Sequence, residues 1–143
     1  MGMSDFDLTE FLPYQLAAAA ARVSRAFAER YRDDFGISIP EWRVLVHLAH
    51  SGSVSVREIH ARVEMDKSKV SRAAQRLTDA GYVEKRPHAE DRRLIDLRLT
   101  PAGQALVARL LPIAAQFQEE LIASLGADHA ALRRALGRIM ETK

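Results

Sequence analysis

Three helix-start signals follow one another closely in the middle of this chain, and they restrict it to short helices there. Ser38-Ile39-Pro40-Glu41 reads as a capping box. A serine oxygen serves orphan backbone donors, a glutamate three residues on reaches back, and proline is tolerated in the first turn. A helix to about residue 49 is expected, stopped near Gly52. Ser55-Val56-Arg57-Glu58 repeats the box and opens a short helix through Ile59 and Val63. Asp66 can cap a third helix over residues 67–80, with Gly81 suited to the left-handed position that ends it. Two β-prone runs follow, residues 82–86 and 94–99, separated by a charged, proline-bearing tip at 87–93. Helix, turn, helix and hairpin in this order spell a helix-turn-helix followed by a wing.

Longer helices flank this centre. Residues 11–35 carry an alanine run, Ala17 to Ala21, then Val23, Phe27, Tyr31 and Phe35 at four-residue steps, which predicts one long amphipathic helix ending at Gly36. Thr100-Pro101 gives a cap with proline at the first helical position and opens an apolar-periodic helix to about residue 124, with a kink expected at Pro112. Residues 125–128 break it, and Leu132, Leu136, Ile139 and Met140 mark one face of a last helix. The expected fold class is mainly α with a small β-hairpin wing. A length of 143 residues suits a single domain.

Composition mainly excludes. With 48% hydrophobic and 28% charged residues the chain has the makings of a core, unlike a disordered tail. The absence of cysteine removes disulfides, thiolate metal sites, catalytic thiols and thiol-based redox sensing. An acidic, polar start and the lack of a long apolar run argue against a signal peptide or membrane span, so the expected location is the cytoplasm, with no membrane partner. The formal charge is only +2, but it is unevenly spread: residues 57–98 carry 11 basic and 8 acidic side chains, whereas residues 1–56 carry 5 and 7. The positive excess lies where the helix-turn-helix and hairpin are expected.

The helix after Asp66 has two contrasting faces. Projected at about 100° per residue, Val70, Ala73, Ala74 and Leu77 form an apolar stripe, while Ser68, Lys69, Ser71, Arg72, Gln75 and Arg76 form a face of hydrogen-bonding side chains with three cations. Arginine can bond the two major-groove acceptors of guanine and glutamine the adenine edge, while serine and lysine commonly hold phosphates. At the hairpin tip, Glu90-Asp91-Arg92-Arg93 offers arginines to a minor groove, and Asp91 can orient an arginine neighbour by a charge-assisted bond. Taken singly, each set also fits an ordinary solvated surface. Together they make double-stranded DNA the expected partner.

Enzymatic chemistry finds no constellation here. The five histidines, His47, His50, His60, His88 and His129, form no H-E-x-x-H, and no serine sits in G-x-S-x-G. His47 and His50 are three apart on a helix, but two ligands are too few for a metal site. No catalytic residue, metal or cofactor is expected. The alternative to a DNA-binding regulator is a winged-helix module that binds protein, because fold does not dictate function.

Four segments carry a family resemblance: Asp66-Lys67-Ser68-Lys69-Val70-Ser71-Arg72, the run from Leu77 to Val83, Asp91-Arg92-Arg93, and Leu99-Thr100-Pro101-Ala102-Gly103. In order and spacing they resemble the recognition helix, the turn into the wing, the D-x-R wing tip and the start of the fifth helix of the MarR transcriptional regulators, and the resemblance runs from the first helix to the last. It implies a homodimer in which residues 1–36 and 101–143 are dimerisation helices and residues 37–100 form the DNA-binding lobe. It also implies a repressor on a pseudo-palindromic operator, released by a small effector, often a phenolic or aromatic acid. Candidates for an effector pocket are Phe27, Tyr31, Trp42, His47 and Phe117, with Arg22 or Arg43 as carboxylate partners; each also fits an ordinary core or surface place. The missing cysteine departs from the peroxide-sensing members of the family.

Overall fold

The computed structural model describes residues 5–91 and 93–141. Of the expected DNA-contacting residues, Arg92 lies outside them. The order of elements is a 3-10 turn Leu8–Glu10, α1 (Leu12–Glu29), α2 (Arg32–Phe35), α3 (Ile39–Ser51), β1 (Val54–Ser55), α4 (Val56–Arg62), α5 (Lys67–Asp79), β2 (Val83–Pro87), β3 (Ile95–Leu99), α6 (Pro101–Leu125) and α7 (Asp128–Met140). The chain divides into two compact units, one ending at Leu110 and the other beginning at Leu111.

The core of the first unit is built by α3, α4 and α5 against a small sheet. Val44, Leu45 and Leu48 of α3, Ile59 of α4, Val70, Ala73, Ala74 and Leu77 of α5, and Val83 and Leu97 of the strands are all buried. The α5 stripe is therefore the one the helical projection selects. The sheet has the antiparallel order β1-β3-β2, with Val54 opposite Leu97 on one side of β3 and Lys85 opposite Leu97 on the other. Leu106, Val107 and Leu110 complete the core from α6. In the second unit, α6 ends at Leu125, Gly126 turns the chain at φ +57°, and α7 follows.

The start signals hold unevenly. The Ser38 box forms in full: the Ser38 backbone N–H and hydroxyl donate to Glu41 Oε2 at 2.8 and 2.7 Å, and the Glu41 N–H donates to Ser38 Oγ at 3.3 Å. These bonds satisfy a carboxylate that is 7% exposed. Ser38→Ala should cost about 1 kcal/mol of stability, measurable by denaturant titration. At Ser55 only half the box forms. The Glu58 N–H donates to Ser55 Oγ at 3.2 Å, while the Glu58 carboxylate turns to Arg62 at 3.5 Å instead. Asp66 stands at the N-cap of α5 without making a side-chain cap bond, so the expected cap is one of position alone. The turn ahead of it is held by His60, whose Nδ1 donates to the Met65 carbonyl at 2.6 Å, with Glu64 in the left-handed region at φ +54°.

Two further differences have local causes. The first helix is not continuous to Phe35: it ends at Glu29, and Tyr31 at φ −131° leaves the helical path before α2. The departure buries the Tyr31 ring to 1% exposure, between Phe27 and Trp42, a gain that helix propensity does not register. The chain stays helical through Pro112, next to the division between the units. Proline there removes one backbone donor, that which would bond the Ala108 carbonyl.

Candidate nucleic-acid interface

Ser68, Lys69, Ser71, Arg72, Gln75 and Arg76 are all exposed, on the side of α5 opposite its buried stripe. Burial of four residues fixes which way the other six point, so this face is rigidly presented. Lys69, Arg72 and Arg76 border a shallow depression of about 170 Å³ with Pro40 at its edge. Three cations on one rigid face will concentrate anions around it.

Gln75 is less free than its sequence position suggests. Its Nε2 donates to Asp79 Oδ1 at 2.8 Å, and its Oε1 accepts from Lys85 Nζ at 2.6 Å. Both ends of the amide are engaged, so reading an adenine edge would require releasing one of them. The Lys85 bond also ties β2 to α5, fixing the hairpin against the exposed helix face.

Between α5 and the hairpin lies a second depression of about 350 Å³, lined among others by Arg57, Lys67, Ser71, Lys85, Arg93 and Ile95. It gathers four cations from four places in the sequence. Of these only Arg93 stands out in the sequence pattern. Lys67 could have been found too, since it lies one helical turn before Ser71 and so on the same face. Arg57 and Lys85 arrive from α4 and β2 through tertiary packing and leave no sequence signal. At the tip, Arg93 donates from its backbone N–H and from Nε to Asp91 Oδ1, each at 3.1 Å, and from Nη2 to Oδ2 at 3.3 Å. Those bonds hold the Asp91 carboxyl below the usual carboxylate range, with smaller help from the Arg57 charge. The Arg93 side chain is otherwise 90% exposed. Behind the tip, Glu84 pairs with both Arg98 and Arg86 across and along the sheet, and its carboxyl too is lowered, chiefly by the Arg98 bond.

The expected effector residues come together in part. Phe27, Tyr31 and Trp42 form an aromatic cluster with ring centroids 5.0 to 5.9 Å apart. Trp42, Arg43 and His47 line an open cavity of about 420 Å³ with Val46, His50 and Val63. Arg22 is exposed on α1 and is not among the lining residues. Phe117 belongs to the second unit. His47 accepts from Arg62 Nη1 at 3.5 Å and lies 3.4 Å from Ser51 Oγ. Burial, then the Arg62 charge and then His50, push its pKa down, so the ring is held neutral beside a guanidinium. Among the described residues no group of three or more histidine, aspartate or glutamate side chains could hold a metal ion.

Tyr31 carries a buried hydroxyl with no hydrogen-bond partner among the described residues. Burial foremost pushes its phenol up to about 12, opposed by Arg43 and Arg32 and aided by Glu41. A raised phenol pKa favours the fold in full below pH 10, and that advantage is lost as pH climbs from 10 through about 12. Tyr31→Phe removes a desolvated, unpaired group, so it should raise the stability of the ligand-free protein by about 1 kcal/mol and flatten the alkaline limb of its stability curve. Thermal melts across that pH range check both.

The three helices α3, α4 and α5 with the β1-β3-β2 sheet make a winged helix-turn-helix. Comparison with known proteins agrees. A family model described as MarR family matches residues 35–94. The transcriptional repressor IacR of Pseudomonas putida is 28% identical over 106 residues, which are 74% of this chain and 63% of IacR. The repressor NicR of the same species is 29% identical over 122 residues, 85% of this chain and 77% of NicR. The chain thus spans just under two thirds of the length of IacR. The solved structure of Bordetella bronchiseptica BpsR superimposes with a TM-score of 0.86 at 22% identity, covering 96% of this chain and 99% of that one. Over residues 35–94 the chain is therefore similar to the MarR family.

Proposed function

We propose that this chain is a sequence-specific double-stranded DNA-binding transcriptional regulator that works as a homodimer and represses its target genes. The observation that carries this reading is the outward face of α5, where six exposed hydrogen-bonding side chains stand over a fully buried stripe. Groups that reach base edges read sequence directly, and a rigid helix projecting such groups fits the major groove. Ser68, Lys69, Ser71, Arg72 and Arg76 then face bases and phosphates. Gln75 joins them once its amide is released. Asp91 steers Arg93 toward the minor groove, and Arg92, expected to join it there, lies outside the described residues.

The dimer follows from what each unit leaves uncovered. Phe6, Leu8, Phe11, Leu12 and Tyr14 near the start are 42% to 60% exposed, and Leu132, Leu136, Ile139 and Met140 of α7 are 40% to 69% exposed. Apolar sets of this kind mark association surfaces. In this proposal residues 1–36 and 101–143 are dimerisation helices, and residues 37–100 are the DNA-binding lobe. Two lobes related by a two-fold axis would read a pseudo-palindrome with half-sites about 34 to 36 Å apart. Leu132→Asp with Leu136→Asp should therefore yield a monomer by light scattering, with DNA affinity reduced at least tenfold through lost bivalency.

Release by a small aromatic effector completes the proposal. The BpsR structure concerns regulation of DNA binding by 6-hydroxynicotinic acid, and the aromatic cluster beside the cavity of Arg43 and His47 suits a flat, acidic ligand. The experiment is selection of duplexes from a randomised pool, followed by challenge of the bound complex with a panel of aromatic acids. The reading expects a two-fold symmetric consensus and release by at least one acid; an unstructured pool after repeated selection contradicts it.

A further inference from the structure

The wing tip contains an arrangement that the DNA-binding reading does not use. His88 Nδ1 accepts two successive backbone donors, the N–H groups of Glu90 and Asp91, each at 3.1 Å. The His88 N–H donates to the Leu94 carbonyl at 3.0 Å, and the Leu94 N–H donates to the Asp91 carbonyl at 3.0 Å. The imidazole therefore sits at the centre of the tip and sets the path of the chain into Asp91. Asp91 in turn holds Arg93 through three bonds, and Arg93 borders the basic depression shared with α5. A chain of contacts runs from the His88 ring to a cation of the proposed interface.

This geometry prescribes one protonation state. Nδ1 can accept only while it bears no proton, so the tip as seen requires neutral His88 with its hydrogen on Nε2. An imidazolium has donors at both nitrogens and would face two N–H groups with a third. Imidazole is the side chain whose ordinary change of charge falls between about pH 5 and 8. The charged groups at the tip are Asp91, Arg93 bonded to it, and Arg57 of α4, whose charge reaches Asp91; Arg86 and Glu84 precede the ring on β2 and pair with one another.

We propose that His88 is a positioning residue that clamps the wing tip in its DNA-engaging shape, and that uptake of a proton on its ring opens the clamp and weakens DNA binding. The inference rests on the DNA-binding reading, and it makes affinity fall on acidification at the wing, where added positive charge would otherwise strengthen a DNA complex. A short side chain with a fixed acceptor can take the place of Nδ1. Asparagine at the head of a turn accepts the N–H groups that follow it in this way, and it does not titrate.

The test compares the wild-type chain with His88→Asn and His88→Ala at about pH 8 and about pH 5.5, across the imidazole range. The probe is a duplex selected by the wild-type protein from a random pool at the higher pH. At that pH the Asn variant should bind within about threefold of wild type and the Ala variant about five to tenfold more weakly, as loss of one or two hydrogen bonds implies. At the lower pH the wild type should lose about fivefold more affinity than the Asn variant. In parallel, the backbone amide NMR signals of Glu90 and Asp91 in the free protein should titrate together with the His88 ring in the wild type, and not in the Asn variant. Identical pH profiles for wild type and His88→Asn, or amides that ignore the ring, would overturn the proposal. Titrating amides in a protein that selects no duplex would instead overturn the DNA-binding reading, and the two failures are thereby told apart.

Discussion

Gly103→Ala is expected to destabilise this protein by about 3 kcal/mol, the upper part of the range for forcing an extra carbon into a packed interior. A Cβ at this position would stand 2.0 Å from the Tyr82 carbonyl oxygen, 3.0 Å from its carbon and 3.2 Å from Leu99 Cδ2. The first of these is backbone, and it cannot swing away as a flexible side chain would. Tyr82 is itself pinned: its carbonyl accepts from the Thr100 N–H at 3.1 Å, and Thr100 Oγ1 donates to the neighbouring Gly81 carbonyl at 2.6 Å. The same Thr100 oxygen accepts the Gly103 N–H at 3.1 Å. One threonine therefore caps α6 and fastens its first turn to the end of α5, and glycine is what lets the two backbones meet. The melting temperature should fall by on the order of 10 °C. An unchanged melt would show that the junction of α6 with the winged lobe is looser than these contacts require.

Arg72→Ala combined with Arg76→Ala should lower affinity for a selected duplex about a hundredfold or more, since each arginine contact to a base or phosphate is worth about 1–3 kcal/mol. Both side chains are exposed and on the same side of α5, so the melting curve should stay within about 0.5 kcal/mol of wild type. The salt dependence separates their roles. Loss of a phosphate contact flattens the plot of log affinity against log salt by about one unit, whereas loss of a base contact leaves the slope and relaxes the selected consensus. Arg93→Ala at the wing should give a smaller loss with the fold intact. Full affinity in the double variant would mean that α5 is not the reading element.

The helices of the winged lobe were legible because their signals are local. Ser38 and Glu41 are three residues apart and bond each other directly, and the stripe from Val70 to Leu77 repeats with the helical period. What escaped depends on contacts distant in sequence. β1 is two residues long, too short for any alternation, and exists because β3 presents Asp96 and Leu97 to it. The break before Tyr31 follows from where Trp42 places its ring. Asp66 occupies its cap position without the bond expected of it.

The candidate interface divides in the same way. The six α5 residues lie on the face that the projection assigns to them, because helical geometry alone fixes it. The state of Gln75 was hidden: Asp79 sits one turn away on the same helix, but Lys85 comes from another element. Arg57 and Lys85 join Lys67 and Arg93 only once the sheet is formed. Of the aromatic candidates, Phe27, Tyr31 and Trp42 do meet, but not through a continuous helix: Tyr31 turns its ring inward where the chain breaks after Glu29, and the capped start of α3 brings Trp42 to it.

The central claim is sequence-specific DNA binding, and one titration tests it most directly. The purified protein is titrated against a DNA fragment from upstream of its own gene and against a scrambled fragment of equal length, at low and at physiological salt. Nonspecific phosphate binding collapses steeply between the two conditions. The reading predicts tight binding to the native fragment that persists at the higher salt, with a preference of at least a thousandfold over the scrambled one. No binding to either fragment even at low salt would contradict it, and would leave the exposed face of α5 to be explained as a surface for a protein partner.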